Sequence, residues 1–125
     1  MISIIVVSFN TKDMTIACLR SVLEQTSTNM DLIVLDNASS DGSADALESE
    51  FGNDIRLIRS KKNLGFAAGN NLAISYAVGE FVLLLNPDTI VLDNAIDKLL
   101  QYSRGTPSHE IWGGRTLFED RKLNP

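Results

Sequence analysis

The chain has a single cysteine, Cys18, and a single histidine, His109. One cysteine permits no intrachain disulfide and no cysteine-rich zinc site, so a reducing compartment is the default. The histidine lies outside every polar cluster and reads as a loop residue, not a catalyst. Positive charge is also scarce: 11 Lys and Arg against 16 Asp and Glu leave a net charge of −5. That balance argues against a nucleic-acid polymer or an anionic membrane as the main partner. No apolar run approaches the ~20 residues of a membrane span. Met1 to Phe9 has neither a basic leader nor a small-residue cleavage site, and reads as a first strand, not a signal peptide. At 125 residues there is room for one domain around one core.

What is present is alternation. Ile2–Val7 is β-branched and nearly all apolar, the composition of a strand buried on both faces. A helix is predicted from a Thr11 cap, with Ile16, Leu19, Val22 and Leu23 in one stripe and Cys18 beside it as core filler. Leu32–Leu35 is the next strand, followed by a helix with Leu47 and Phe51 inside and Gly52 closing it. Ile55–Ile58 is the third strand. The alanine-rich Phe66–Val78 segment predicts a helix from about Ala68, with Gly79 as its C-terminal cap. Phe81–Leu85, five apolar residues in a row, reads as a central strand buried on both sides. Asn86-Pro87-Asp88 ends it, because proline has no N–H for a ladder. Leu92, Ile96, Leu99 and Leu100 keep helical spacing until Gly105-Thr106-Pro107. A last short strand is expected through Ile111-Trp112, and 113–125 is a polar tail. The alternation predicts an α/β fold, a parallel sheet with helices on both faces.

In such a sheet the carboxyl ends of the strands form one rim, where ligands bind. Here the four clearest strands end in Ser8-Phe9-Asn10, in Asp36-Asn37, in Ser60 leading to Asn63, and in Asn86-Pro87-Asp88. Singly, each has a plainer reading: Asp36 begins an Asx-turn, and Asp41 and Ser43 are good helix caps. Asn63-Leu64-Gly65-Phe66-Ala67-Ala68-Gly69-Asn70-Asn71 is harder to set aside, since two glycines and two adjacent amides at a helix start allow close approach of a polar ligand. It is not a dinucleotide fingerprint, and no P-loop lysine follows. The Asp36–Gly42 loop fails as a calcium loop, with Leu47 where a bidentate Glu belongs. The Asn37-Ala38-Ser39 sequon is incidental without a secretory signal. Asp36, Asp41 and Asp88 on one rim would repel a diphosphate unless a cation stood between them. Mg²⁺ or Mn²⁺, which takes one or two carboxylates and fills its shell with phosphate oxygens and water, solves this, with Asp88 as the best ligand.

Val6-Val7-Ser8-Phe9-Asn10, the Asp36–Ser43 loop, the Asn63–Asn71 segment and Leu85-Asn86-Pro87-Asp88-Thr89, in this order and spacing, resemble family 2 glycosyltransferases of the GT-A fold, most nearly the rhamnosyltransferase-like branch. The resemblance covers residues 2 to about 105. It implies that Ser8, Phe9 and Asn10 lie along a pyrimidine base, with Phe9 offering a stacking face. Asp36 would read the base edge, with Asn37 and Asp41 nearby. Asn63, Gly65, Asn70 and Asn71 would line the nucleotide and sugar side. The family's Asp-x-Asp element falls on Asn86-Pro87-Asp88: Asp88 would bind the metal that bridges the phosphates, and Asn86, where the family has an acid, would lean toward the ribose.

The implied activity is inverting transfer from a UDP- or dTDP-linked sugar to a glycan or lipid-linked acceptor in polysaccharide or cell-surface glycan synthesis. Its implied setting is the cytoplasm, peripheral at the inner membrane face. The resemblance places the general base well downstream of the Asp-x-Asp element, and nothing around Glu119 and Asp120, the last acids here, marks them as that base. Residues 1–112 therefore read as the nucleotide-sugar-binding part, and 113–125 as a tail leading toward an acceptor-binding half. A receiver domain is set aside because Ser8-Phe9-Asn10 supplies no acidic pair. A sugar nucleotidylyltransferase would need a glycine-rich basic loop where Thr11-Lys12-Asp13 stands. The remaining alternative is a non-catalytic nucleotide-binding or interaction module.

Overall fold

The computed structural model describes residues 1–117 and 119–122. Its elements, in order, are β1 (Ile2–Ser8), α1 (Lys12–Gln25), β2 (Met30–Asp36), α2 (Ser43–Phe51), β3 (Arg56–Arg59), α3 (Phe66–Ile74), β4 (Phe81–Leu84) and α4 (Ala95–Gly105). Among the described residues the strands β1 to β4 pair in parallel, in the order β3-β2-β1-β4. The chain thus winds outward from β1 through β2 to β3, then returns to the other side of β1 for β4. That reversal makes the carboxyl ends of β1 and β4 the switch point of the sheet, the place where open α/β sheets bind ligands.

Both sheet faces are covered, as the apolar strands require. Ile2, Ile4, Val6, Leu32 and Val34 pack with Leu19 and Val22 of α1, Leu47 and Phe51 of α2, and Ile96 and Leu100 of α4. On the opposite face Ile5, Ile33 and Leu35 pack against Ala73 of α3. Ile4, Ile5, Val6, Ile33, Val34 and Leu35 are fully buried, each worth about 1.5–3 kcal/mol relative to exposure. In α1 the buried Thr15, Cys18, Leu19 and Val22 recur at three- and four-residue spacing, and Cys18 is core as expected. Gly52 closes α2 with φ 48°, its N–H donating to the Glu48 carbonyl.

Four expectations are corrected. Among the described strands Phe81–Leu84 is an outer one, not a central one: the order puts β4 last, and Val82 and Leu84 are 45% and 49% exposed. An apolar run records the burial a strand is suited to, not which neighbours pair with it. The Ile111-Trp112 strand is absent. Ile111 is 90% exposed, while the Trp112 ring stands edge-on to Phe81 at 6.2 Å and its Nε1–H donates to Thr106 Oγ1 at 3.0 Å. Helix α3 begins at Phe66, because Gly65 at φ 81° turns the chain directly into it, and ends at Ile74. Gly79 therefore does not cap it. A Cβ there would lie 2.5 Å from the Ser3 backbone nitrogen, so this glycine lets the chain cross β1 on its way to β4. Finally, Thr11 precedes α1 but makes no side-chain cap bond. Of the polar tail, Phe118 and 123–125 lie outside the described residues.

Candidate functional site

The first two strand tips are tied edge to edge. Ser8 pairs with Asp36 in register, and the Asn37 N–H donates to the Ser8 carbonyl at 2.8 Å. The Ser60 N–H continues the ladder onto the Asp36 carbonyl at 2.9 Å, and on the other side the Leu85 N–H reaches the Ile5 carbonyl at 2.9 Å. Parallel register thus brings all four polar strand ends to one rim.

The loops after β1 and β2 are latched together. Asn10, at φ 51°, a conformation asparagine tolerates, donates its N–H to Ser39 Oγ and accepts the Ser40 N–H on Oδ1 at 2.8 Å. Asp41 supplies the cap that Thr11 does not: one carboxylate oxygen accepts the Lys12 N–H at the start of α1, at 3.0 Å. The other accepts the Ser43 N–H at 3.0 Å and the Ser43 hydroxyl. The bond from Ser43 and the two backbone donors hold its carboxyl below the ordinary range. One side chain thereby joins two helix N-termini, whose partial positive charge suits an anion. Around this junction lies a hollow of about 390 Å³ lined by Asn10, Thr11, Lys12, Asp13, Met14 and Asp41.

Below the rim, polar side chains position backbone. Ser8 is fully buried, its hydroxyl bonded to Thr11 and Thr15, whereas the neighbouring Phe9 is 45% exposed. Asp36 is 3% exposed; its Oδ2 accepts the Ser39 N–H at 3.1 Å, and its buried Oδ1 has no donor among the described residues. A buried carboxylate oxygen without a donor is costly and demands a partner. Buried Asn37 donates from Nδ2 to the Gly65 carbonyl and accepts the Leu64 N–H on Oδ1. Asn63 Oδ1 accepts the Gly65 N–H, and Asn70 Nδ2 donates to the Phe66 carbonyl. Asn71 is exposed. Gly69 must be small: a Cβ would meet Leu35 and Val7 side chains at 3.1 and 3.2 Å.

The turn after β4 rests on α1. The Asn86 carbonyl accepts Thr89 Oγ1–H at 2.7 Å and the Cys18 thiol at 3.7 Å, and the Val91 N–H donates to Ser21 Oγ at 2.9 Å. Asn86 and Asp88 are exposed, and among the described residues the Asp88 carboxylate enters no hydrogen bond or ion pair. It is free to take a ligand. Among the described residues no group of three His, Cys, Asp or Glu forms an all-protein metal cage. A lone hard carboxylate instead fits Mg²⁺ or Mn²⁺ completed by substrate oxygens and water. The sequence places Ser39, Ser40 and Thr89 inside its motifs without a role of their own and gives Ser21 none, yet all four fix these loops; a single hydroxyl carries no pattern that names its partner.

Residues 3–123 match the family described as Glycosyl transferase family 2. Glycosyltransferase GlyG of Streptococcus pneumoniae serotype 4 is 31% identical over 99% of this chain and 42% of its own length. UDP-Glc:alpha-D-GlcNAc-diphosphoundecaprenol beta-1,3-glucosyltransferase WfgD of Escherichia coli is 33% identical over 78% of this chain and 38% of its own. The chain thus spans less than half the length of these relatives. Among solved structures, the mannosyltransferase PcManGT from Pyrobaculum calidifontis, in complex with GDP-Man and Mn²⁺, superimposes with a TM-score of 0.75 at 21% identity, over 82% of this chain and 32% of that one. TarS of S. aureus in complex with UDP-GlcNAc gives 0.75 at 21% identity, over 85% and 32%. These likenesses give the fold, the GT-A arrangement of a parallel sheet between helices. With the match running over nearly its whole length, this chain belongs to glycosyl transferase family 2.

Proposed function

We propose that residues 1–112 form the donor-nucleotide part of an inverting, rhamnosyltransferase-like glycosyltransferase, and that 113–125 lead toward an acceptor-binding half. The observation that carries this is the convergence of four polar strand ends on one rim, at the switch point between β1 and β4. Exposed Phe9 offers a stacking face for a pyrimidine, with Ser8 and Asn10 fixing the loop around it. The undonated Asp36 Oδ1 accepts an N–H from the base edge, and Asn37 and Asp41 hold the surrounding backbone. Asn63, Gly65, Asn70 and Asn71 shape the sugar side, and Asn86 reaches a ribose hydroxyl through its amide.

Asp88 would hold Mg²⁺ or Mn²⁺ against the diphosphate; when bound, the ion supplies Lewis-acid stabilisation of the departing charge. GDP-Man and Mn²⁺ in PcManGT and UDP-GlcNAc in TarS support a nucleotide-sugar ligand. The lipid-linked diphosphate in the name of WfgD supports a lipid-linked glycan acceptor. Such an acceptor fits a cytoplasmic enzyme peripheral at the inner membrane face, and no described helix is long and apolar enough to cross a membrane. The general base that deprotonates the acceptor hydroxyl belongs to the acceptor-binding half.

Calorimetric titration of UDP and dTDP, with and without Mn²⁺, tests the reading. The native chain binds one of them in a Mn²⁺-dependent way, and Asp88→Ala loses that dependence. Binding indifferent to both Mn²⁺ and Asp88 overturns the metal assignment, and no binding of either nucleotide overturns the donor site.

A further inference from the structure

We propose that Ala38 is a positioning residue of the donor site: its left-handed backbone anchors one oxygen of the Asp36 carboxylate and leaves the other to take an N–H from the base. This rests on the reading of Asp36 as the residue that meets the base edge. Ala38 has φ 66°, a region that few residues other than glycine enter. Asparagine tolerates it through its short polar side chain, as at Asn10, but a methyl group has nothing to offer in return. Such strain persists only where the surroundings over-determine it, and it gathers at functional sites.

Both neighbours of Ala38 are pinned. On one side Asn37 gives its N–H to the Ser8 carbonyl at 2.8 Å, while its side-chain amide holds the Gly65 carbonyl and the Leu64 N–H. On the other side Ser39 gives its N–H to Asp36 Oδ2 at 3.1 Å and accepts the Asn10 N–H on Oγ at 2.9 Å. Ala38 therefore bridges two fixed residues. Its reversed backbone carries the Ser39 N–H back to the carboxylate three residues earlier.

The consequence falls on Asp36. With Oδ2 anchored, the carboxylate is held in one rotation, and Oδ1 stays buried without a donor among the described residues. A buried oxygen in that condition is costly, and a ligand N–H relieves it. A residue at position 38 that excludes positive φ would withdraw the Ser39 N–H and let the carboxylate swing aside. The site would then no longer distinguish a base that carries an N–H from one that does not.

The test compares affinities for UDP with N3-methyl-UDP, and for dTDP with N3-methyl-dTDP, by calorimetry in the presence of Mn²⁺. The native chain prefers the unmethylated nucleotide by about tenfold or more. Ala38→Gly and Ala38→Asn, which accept positive φ, keep that ratio. Ala38→Val and Ala38→Thr, whose β-branched side chains do not accept it, bring the ratio to within about twofold of one. The threonine variant keeps the loop polar and serves if the valine variant does not fold. A general loosening of the fold would weaken both nucleotides alike and leave the ratio unchanged. A native ratio retained in folded Ala38→Val or Ala38→Thr overturns the role of Ala38 and leaves the reading of Asp36 standing. Loss of the ratio in Ala38→Gly and Ala38→Asn overturns it as well, because the left-handed backbone is then not what matters. A ratio near one in the native chain removes the base-edge reading itself, and the positioning of Asp36 with it.

Discussion

The side-chain amide of Asn37 clamps the backbone beside Gly65, donating from Nδ2 to the Gly65 carbonyl at 3.1 Å and accepting the Leu64 N–H on Oδ1 at 2.8 Å. It joins the tip of β2 to the entry of α3, two walls of the proposed donor site. Asn37→Ala removes both bonds and strands part-buried backbone groups, at a cost of about 1–3 kcal/mol. Asn37→Asp is no rescue, since it turns the donor toward Gly65 into a second acceptor. Urea unfolding should show a lowered midpoint with unchanged slope for both variants. Nucleotide affinity should fall in both, because the Asn63–Asn71 segment loses its anchor.

Of the glycines, Gly79 lies closest to a neighbouring stretch of backbone. An added methyl would stand 2.5 Å from Ser3 N and 2.9 Å from Met1 O, backbone atoms in and just before β1 that cannot easily yield. The Ser3 hydroxyl also accepts the Gly79 N–H at 2.8 Å, so a displaced residue 79 loses that bond too. Gly79→Ala should destabilise by about 1–3 kcal/mol or more. Gly113→Ala, where nothing lies within 4 Å, should leave the urea midpoint unchanged.

The contrast shows what the sequence makes legible. Ile2–Val7 and Leu32–Leu35 announce buried strands because their composition answers directly to burial. The polar strand ends are legible because a parallel sheet forces its carboxyl ends onto one rim. Gly79 reads as a helix cap, since its true constraint comes from Ser3, distant in sequence. Phe81–Leu85 reads as central, since nothing in five apolar residues states whether a partner strand is present. Asp41 reads as a cap for its own helix, and only the fold shows that it also caps α1. What escapes in each case is a contact between segments far apart in the chain.

Cys18 offers a reporter beneath the turn that carries Asp88. It is fully buried, with its thiol toward the Asn86 carbonyl. Burial pushes the thiol pKa above its usual value, with the Asp88 carboxylate adding to the rise and Thr89 bonding opposing it. The thiol therefore stays protonated at neutral pH and is inert while covered. Iodoacetamide at pH 8 should alkylate the native chain at least about 100-fold more slowly than the urea-unfolded chain. If nucleotide and Mn²⁺ bind over this turn, together they should slow labelling further in the native sequence and not in Asp88→Ala. Native labelling as fast as unfolded labelling would show that the turn does not cover Cys18.

Asp97 pins α4 to the loop before β2, accepting the N–H and hydroxyl of Ser27 on one oxygen and those of Thr28 on the other. The Ser27 N–H and the Thr28 hydroxyl lead in lowering its pKa from 3.8 to about 2. In the unfolded chain this carboxyl titrates at its ordinary value of about 3.9. The folded state therefore binds its proton less readily, and the stabilisation is complete above about pH 4 and lost as pH falls toward 2. Asp41, lowered through Ser43, contributes in the same direction. Urea midpoints measured from pH 6 down to pH 2 should fall for the native chain. Asp97→Asn should be less stable at pH 6 and should lose less on acidification, so that the two curves converge near pH 2. Parallel curves across that range would show that the Ser27 and Thr28 bonds do not govern this carboxylate.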